Sequence, residues 1–309
     1  MKTSSLIDDA ARLARFEVPP GRVRAVLDTD TYNEIDDQFA LAYALLSGEK
    51  LDLEAVYAAP FLNKRSTGPG DGMERSYEEI LRVLDRMHTS PEGFVYRGST
   101  RFLPGADQPV ESDAARDLIE KAMAGPGDDP LYVLTIGAST NVASAILLEP
   151  RIVERLVVVW LGGTPLWWPD VQEFNLFQDL HSARVLLDSG VPLVLLPTYG
   201  VTSHLLTTLA EVVHHLAGQN PLCDYLVQIV RDYVPDHFAY GKVIWDISGI
   251  AYLLDGAWID AEVVHSPVLT DQVTWSVDNR RHLIRIGTFV HRNPIFGDLF
   301  RKLIAFEAA

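Results

Sequence analysis

The chain has 309 residues, of which 48% are hydrophobic and 22% are charged, as in ordinary globular proteins. Its net charge of −16, with no cluster of Lys or Arg, argues against nucleic acids and anionic membranes as partners. Because Cys223 is the only cysteine, an intramolecular disulfide and a cysteine-based zinc site are excluded.

Short apolar runs alternate with helical patterns along the first two thirds of the chain. Strands are predicted at residues 23–27, 53–58, 94–97, 131–136, 156–161 and 193–196. Helices are predicted between them at residues 37–46, 75–87, 113–123, 139–147 and 180–188. This alternation predicts an α/β fold with an open, mostly parallel Rossmann-like sheet and helices on both faces.

The remaining segments are predicted to complete one domain spanning residues 1–309. Residues 4–15 read as an amphipathic helix within an N-terminal extension, residues 1–22, and no signal-peptide pattern or run of about 20 apolar residues is present. We therefore expect a cytoplasmic protein without a membrane span. C-terminal helices are predicted at residues 208–217, 221–234, 246–254 and 293–306, with a β-hairpin of residues 272–277 and 282–289 turning at Asp278-Asn279. The Gly/Pro-rich stretches 66–72 and 125–130 are short enough to be loops.

Four aspartates follow or end the first predicted strand: Asp28, Asp30, Asp36 and Asp37. They lie at the carboxyl end of that strand, where open α/β sheets bind ligands. So many carboxylates repel one another unless a cation or strong donors offset them, and aspartates bind hard cations well. We interpret the cluster as a metal site.

Other readings of this cluster explain less of it. Acids at a helix start account for two of the aspartates but not for all four. An EF-hand loop counted from Asp28 would need Gly and Glu where Asn33 and Phe39 stand. A haloacid-dehalogenase-type phosphatase has its threonine one place later than Thr31.

Polar residues also follow the other predicted strands. They are Asn63, Thr140-Asn141, Gly162-Gly163, Glu173-Phe174-Asn175 and Trp245-Asp246. Each has an ordinary explanation as a helix cap or a turn, but several at one sheet edge gather around one crevice.

In this order the motifs resemble those of the calcium-dependent nucleoside hydrolases named for inosine–uridine-preferring members. The resemblance implies that the chain is an N-glycosidase that releases base and ribose from nucleosides, as a homodimer or homotetramer. It implies Ca²⁺ ligands from Asp30, Asp37, Asp246 and the main-chain carbonyl of Thr140. It further implies ribose contacts from Asp36, Asn63, Glu173 and Asn175, a main-chain contact from Leu161, and tuning of the cluster by Asp28.

The chemistry of such a site is consistent with these residues. Cleavage passes through an oxocarbenium-like ribosyl cation, which an anionic pocket stabilises. Asp30 is predicted to be the general base that takes a proton from the attacking water. A 5′-phosphate would have to approach Glu173, so nucleosides are predicted over nucleotides.

Two departures from the family pattern concern substrate choice. The segment 31–35, hereafter the Asp loop, is two residues longer than usual and lacks glycine, so Tyr32 or Glu34 is expected to reach the pocket. Trp245 stands where the inosine–uridine-type enzymes have a histidine, and an indole has no proton to give at neutral pH.

Aromatic residues offer a different way to bind the base. The candidates for a base pocket are Trp245, Trp167, Trp168, Tyr233, His237 and Tyr240. His237 can also replace the missing acid, although a loop histidine is more often a solvated turn residue. We predict purine-like or modified bases ahead of pyrimidines.

Two alternative functions remain open from the sequence. One is a calcium-dependent nucleoside or sugar binder without turnover, against which the complete pair of Asp30 and Asp37 argues. The other is a metal-dependent phosphohydrolase built on Asp28 and Asp30. Such an enzyme needs a lysine to bind the phosphate, and Lys242 is the one candidate.

Overall fold

A sheet of eight strands runs through the part of the chain that the computed structural model describes, residues 7–307. The strands are β1 (Val23–Thr29), β2 (Leu51–Ala58), β3 (Val95–Arg97), β4 (Leu131–Thr135), β5 (Leu156–Leu161), β6 (Leu193–Leu196), β7 (Leu206–Thr207), β8 (Lys242–Val243), β9 (Ile259–His265), β10 (Val268–Leu269), β11 (Trp275–Ser276) and β12 (Leu283–Val290). The main sheet has the order β3-β2-β1-β4-β5-β6-β12-β9, and all its neighbours are parallel except β12 with β9. The predicted mostly parallel sheet is confirmed.

Helices cover both faces of this sheet. They are α1 (Asp9–Phe16), α2 (Asp36–Leu45), α3 (Pro69–Arg86), α4 (Asp113–Ala124), α5 (Thr140–Leu148), α6 (Phe174–Gln178), α7 (Leu180–Asp188), α8 (Leu209–Leu216), α9 (Pro221–Tyr233), α10 (Ile247–Leu254) and α11 (Arg292–Ala305). One apolar core includes Phe39 of α2 and Leu226 of α9, and the other includes Leu118 of α4 and Leu186 of α7. Strand β5 is buried along its whole length, as a strand covered on both faces must be.

The strand order reverses direction between β1 and β4. Residues Asp28 and Thr135 are register partners near the carboxyl ends of these two strands. The loops that leave the two ends therefore diverge and leave a crevice between them. Asp30 and Gly137 lie in these loops.

The predicted β-hairpin is wrong in its pairing. Strand β12 pairs with β9, with Leu283 opposite His265, whereas β11 pairs with β10. The partner of β12 is the strand β9, which is absent from the predicted elements. Pairing with β9 and β6 places β12 inside the main sheet and buries Ile284 and Ile286, which a separate hairpin would leave exposed.

Helix α3 begins at Pro69, six residues before its predicted start, so part of the predicted loop 66–72 is helical. The glycines there hide the helical pattern. A Cβ at Gly72 would lie 2.1 Å from the carbonyl oxygen of Phe61. Glycine is therefore required because the first turn of α3 packs against the backbone that follows β2.

The predicted N-terminal helix is present as α1, and residues 4–6 of that prediction lie outside the described residues. The side chains of Tyr252 and Arg285 donate hydrogen bonds of 2.9 Å to the carbonyl oxygen of Phe16 at its end. Within residues 7–307, none of the helices has the length and apolar character needed to cross a bilayer.

Candidate active site

A cavity of about 260 Å³ opens at the carboxyl edge of the sheet. It is lined by Asp30, Asn33, Glu34, Asp36, Asp37, Asn63, Ile136, Leu161, Glu173, Phe174, Asn175, Thr198, Tyr199, Trp245 and Asp246. We call it the carboxylate cavity, because six of these residues carry carboxylates and none is Lys or Arg. Nine of the residues predicted to contact metal, ribose or base lie in it.

Asp30 follows β1 and is almost completely buried, with 1% of its surface exposed. Its Oδ2 atom is buried and has no hydrogen-bond partner among the described residues. Burial, and then the neighbouring charge of Asp37, raise the pKa of Asp30 well above its ordinary value. A Cβ at Gly137 would come within 3.0 Å of the Asp30 Cγ atom, so the loop after β4 closes directly over this carboxylate. The free Oδ2 is therefore available to a cation or to a proton.

Three further aspartates converge beside it. Asp36, Asp37 and Asp246 each offer a carboxylate oxygen within 4.8 Å of the other two. Burial, followed by the charge of Asp36, raises the pKa of Asp37 to about 7 and that of Asp246 well above its usual range. The Oγ1 atom of Thr29 donates to Asp37 Oδ1 at 2.5 Å and fixes one of these oxygens. This cluster is able to hold a metal ion, and its hard oxygen donors suit Ca²⁺ or Mg²⁺.

Asp28 lies behind the cavity rather than in it. It is fully buried within β1, and its two oxygens accept from Thr135 Oγ1 at 3.0 Å and from Asn141 Nδ2 at 2.8 Å. Burial raises the pKa of Asp28 to about 7, against the effect of these two donors. Asp28 therefore links β1 to the end of β4 and to the first turn of α5, and its charge acts on Asp30.

Glu173 lines the cavity and also caps helix α6. Its Oε1 atom accepts from the backbone N–H of Asn175 at 3.0 Å, and its Oε2 atom accepts from Gly163 at 2.7 Å and Leu176 at 3.0 Å. Burial raises the pKa of Glu173 to about 7, while these N–H donors favour its ionised form. The loop after β5 is thus fastened to α6 through this carboxylate.

Two asparagines hold neighbouring wall segments together. The Nδ2 atom of Asn175 donates to the carbonyl oxygens of Ile136 at 3.0 Å and Leu161 at 3.1 Å, across the ends of β4 and β5. The Nδ2 atom of Asn63 donates to Asn33 Oδ1 at 2.6 Å and so contacts the Asp loop. Both amides are held in fixed orientations at the cavity.

A sequence model of the family described as inosine-uridine preferring nucleoside hydrolase matches residues 25–294. The matched region runs from β1 into α11 and contains every carboxylate of the cavity. The chain belongs to this family. Nucleoside hydrolases are N-glycosidases, so the chain is an enzyme of that class.

Similar proteins within the family are named for different nucleosides or bases. A probable uridine nucleosidase 2 of Arabidopsis thaliana is 25% identical over 268 residues, which cover 79% of this chain and 79% of that protein. A pyrimidine-specific ribonucleoside hydrolase of Shigella flexneri is 28% identical over 194 residues, which cover 60% of this chain and 59% of that protein. The solved structure of an inosine-guanosine nucleoside hydrolase has a TM-score of 0.72 at 15% identity, covering 93% of this chain and 100% of that one, and so supports the shared fold.

Thr140 does not reach the cavity of this nucleoside hydrolase. It is fully buried in the first turn of α5, and its hydroxyl donates to Asp179 Oδ2 at 2.7 Å. Ile136, at the carboxyl end of β4, lines the cavity instead. The loop from Gly137 turns Thr140 away from the crevice and leaves Ile136 at its edge.

The predicted base contacts also separate in the structure. His237 and Tyr240 line a different groove, beside Leu209 and Val213 of α8, and His237 Nε2 lies 3.0 Å from the carbonyl oxygen of Arg231. The chain after α9 leads them away from the carboxylate cavity, which corrects that prediction. Tyr233 lies near the cavity without lining it, and its hydroxyl donates to Glu34 Oε1 at 3.0 Å.

Of the two Asp-loop residues expected at the pocket, Glu34 lines it. The Tyr32 ring instead lies 5.8 Å from the guanidinium carbons of both Arg65 and Arg75. The extra length of the Asp loop therefore adds a carboxylate to the cavity, and its aromatic residue packs outside.

An aromatic row borders the cavity, and the sequence pattern predicts its tryptophans but not Tyr199. Tyr199 lines the cavity after β6, and its ring stacks on Trp168 with centroids 5.5 Å apart and meets Trp245 edge-on at 6.3 Å. Trp167 extends the row at 5.3 Å from Trp168 and is 72% exposed. Thr198 and Tyr199 lie two and three residues after the end of the parallel strand β6, so the strand-end rule that predicts Asp30 applies to them as well.

Proposed function

We propose that the chain hydrolyses the N-glycosidic bond of ribonucleosides to free base and ribose, in a calcium-dependent reaction. The observation that carries this proposal is the lining of the cavity, with six carboxylates and no lysine or arginine. Departure of the base leaves positive charge on the ribosyl ring, and fixed negative charges in a water-poor site stabilise it strongly.

Asp30, Asp37 and Asp246 are proposed to hold the calcium ion, with the carbonyl of Ile136 as a main-chain ligand. The buried Oδ2 of Asp30 without a partner supports this set, as does the approach of Asp37 and Asp246 oxygens within 4.8 Å. When bound, calcium lowers the pKa of a water and provides a template for hydroxyl groups. Burial and mutual repulsion raise the pKa values of the three carboxylates, and a bound cation would offset this repulsion.

Asp30 is proposed as the general base. The attacking water gives a proton to the Asp30 carboxylate as the water oxygen bonds to C1′, and the C1′–N bond breaks with its electrons leaving on the base. A base of this kind contributes about 10²–10⁴-fold to the rate. Its carboxylate is held by burial and by the close approach of Gly137.

Asp36, Asn63, Glu173 and Asn175 are proposed to bind the ribose hydroxyls. All four line the cavity, and the hydrogen bonds of Asn63 and Asn175 to neighbouring loops fix their amides in place. Binding the sugar in one orientation places C1′ beside Asp30 and removes the entropy cost of alignment from the chemical step.

The base is proposed to lie against Tyr199 and Trp245, and purine-like or modified bases are proposed ahead of pyrimidines. Both side chains line the cavity, and aromatic rings bind flat heterocycles by stacking. The larger ring system of a purine gains more from such contacts than a pyrimidine does.

The phosphohydrolase alternative fits the geometry less well. The Nζ atom of Lys242 is already engaged with the carboxylates of Glu34 and Asp36 and does not line the cavity. A phosphate in the carboxylate cavity would therefore meet acids without a compensating lysine.

The test is base release from a panel of purine, pyrimidine and modified ribonucleosides, each with calcium, with chelator, and with calcium restored after chelation. We expect release that chelator abolishes and calcium restores, fastest for a purine-like nucleoside. Release that persists in chelator would reject the calcium requirement. Release of phosphate from monophosphates, with no release of base, would favour the phosphohydrolase.

A further inference from the structure

Lys242 is a buried lysine at the wall of the carboxylate cavity. It opens the short strand β8, and its side chain is 7% exposed. Its Nζ atom forms an ion pair with Glu34 and lies 3.4 Å from Asp36 Oδ1. Among the described residues, it is the only lysine or arginine that pairs with a carboxylate of the cavity.

Both oxygens of Asp36 are held by the same short segment. Oδ1 faces Lys242, and Oδ2 accepts from the backbone N–H of Trp245 at 3.1 Å. Asp36 therefore does not rotate freely at the start of α2, although it shares an aspartate cluster with Asp37 and Asp246. Its carboxylate therefore lies between the lysine on one side and the carboxylates of Asp37 and Asp246 on the other.

Glu34 is fixed by the same lysine. It bonds to Lys242 through Oε2 and accepts from the Tyr233 hydroxyl through Oε1. The Tyr233 ring centroid also lies 5.4 Å from the lysine Nζ. The Asp loop is thus fastened to β8 and to the end of α9.

The side chain of Lys242 carries a positive charge at neutral pH. Burial acts to lower the pKa of this lysine, but the carboxylates of Asp36 and Glu34 outweigh it, and the pKa lies above its ordinary value. Removing one partner of a buried pair leaves an uncompensated charge, which then seeks another counter-ion.

We propose that Lys242 is a positioning residue that reserves Asp36 for the substrate by keeping its carboxylate away from the metal cluster. This inference rests on the proposed function, in which Asp36 binds a ribose hydroxyl. Without the ammonium group, Asp36 is drawn to the cation shared with Asp37 and Asp246. Calcium then binds more tightly and the nucleoside more weakly.

The proposal is tested by whether the affinities for calcium and for the nucleoside change in opposite directions. In Lys242→Met we expect the calcium dissociation constant, measured by calorimetry on chelator-treated protein, to fall at least threefold. The KM for inosine is expected to rise at least tenfold, with kcat changing less than threefold. Lys242→Arg keeps the charge and should return calcium binding to the wild-type value, with a KM between the two.

Lys302→Met is the matched control. Lys302 is 15% exposed and pairs with Glu49 and Asp298, away from the cavity. Its loss should lower thermal stability without moving KM or calcium binding. A Lys242→Met variant in which both ligands weaken together would show a merely structural role and overturn the proposal, as would unchanged values for both.

Lys242→Gln decides the matter if Lys242→Met does not fold. Its polar side chain carries no charge, so calcium should again bind at least threefold more tightly and the KM for inosine should rise at least tenfold. Weaker calcium binding in this variant would contradict the proposed hold on Asp36. Wild-type protein that binds calcium but releases no base would reject the proposed function alone, because the calcium titrations still report on Lys242.

Discussion

The free oxygen of Asp30 makes this residue the most informative single substitution. Asp30→Asn keeps the size of the side chain and removes the acceptor for the proton of water, so kcat is expected to fall about 10²–10⁴-fold. It also removes one of several mutually repelling buried charges, so the midpoint of thermal unfolding in chelator is expected to rise. Steady-state base release and thermal melts measure the two effects.

Asp117→Asn is the control for that substitution. Asp117 is also buried, but it pairs with Tyr57 and Lys121 on the far side of β2. Its change should lower stability and leave kcat within a few-fold of wild type. If Asp30→Asn retained near-wild-type turnover, the general base would have to be a different carboxylate of the cavity.

Tyr199 offers a second test at the level of one residue. If its ring stacks on the base, Tyr199→Ala should raise KM for a purine nucleoside about 2–12-fold. This range corresponds to the loss of one aromatic pair, which contributes about 0.5–1.5 kcal/mol. Tyr199→Phe should stay close to wild type, because it keeps the ring. Phe238→Ala, at a residue 90% exposed outside the cavity, serves as control. A Tyr199→Phe variant as impaired as Tyr199→Ala would mean that the hydroxyl, not the ring, matters.

The sequence predicts which residues lie at the ends of strands, but not the path that the backbone takes after each strand. Asp30, Asp36 and Asp246 reach the cavity because each lies just after a strand or at a helix start on one sheet edge. Ile136 and Thr140 are four residues apart, at the start and just past the end of the loop between β4 and α5, and only the path of that loop decides which of them faces the crevice. A sequence pattern contains no information on that path.

At the scale of elements, β12 and α1 meet around a histidine that is sensitive to pH. Burial, and then the charges of Arg12 and Arg281, lower the pKa of His282 to about 4. The unfolded chain binds a proton near pH 6.5 and the folded chain does not until pH 4, so stability is lost as pH falls through this window. Between pH 7 and pH 5 this histidine should cost about 2 kcal/mol of unfolding free energy.

Denaturant unfolding at both pH values, for wild type and His282→Gln, measures this contribution. Groups that titrate in both proteins contribute equally to the two changes in unfolding free energy and cancel when the changes are subtracted. The variant should therefore lose less unfolding free energy between pH 7 and pH 5 than wild type does. His291→Gln is the control, because His291 is 43% exposed beside Asp260. Equal losses in wild type and His282→Gln would place the acid-sensitive group elsewhere.

Helices and strands with a strong local hydrophobic pattern were predicted well. Elements whose structure depends on contacts with residues distant in sequence were not. The apolar runs of β5 and β6 and the pattern of α7 agree with the structure at both ends. The pairing of β12 depended on β9, whose alternating residues also suit an exposed strand. The start of α3 depended on the close approach of Gly72 to Phe61, which no local preference encodes.

At the scale of the whole molecule, the charge distribution predicts discrimination against nucleotides. The chain carries a net charge of −16, and the cavity adds six carboxylates without a lysine or arginine in its lining. A 5′-monophosphate brings about two further negative charges to this surface and should be turned over with kcat/KM at least 100-fold below that of its nucleoside. Part of this penalty is long-range, and salt near 0.1 M screens charges over about 10 Å.

Raising the ionic strength should therefore narrow the gap between nucleoside and monophosphate several-fold, because only the monophosphate is repelled. A 5′-deoxynucleoside separates the two components, since it lacks the 5′-hydroxyl but adds no charge, and its kcat/KM should not depend on salt. A gap that salt leaves unchanged would mean that the 5′ side is closed by shape. Equal turnover of nucleoside and monophosphate would mean that Glu173 and its neighbours do not meet the 5′ position as ionised groups.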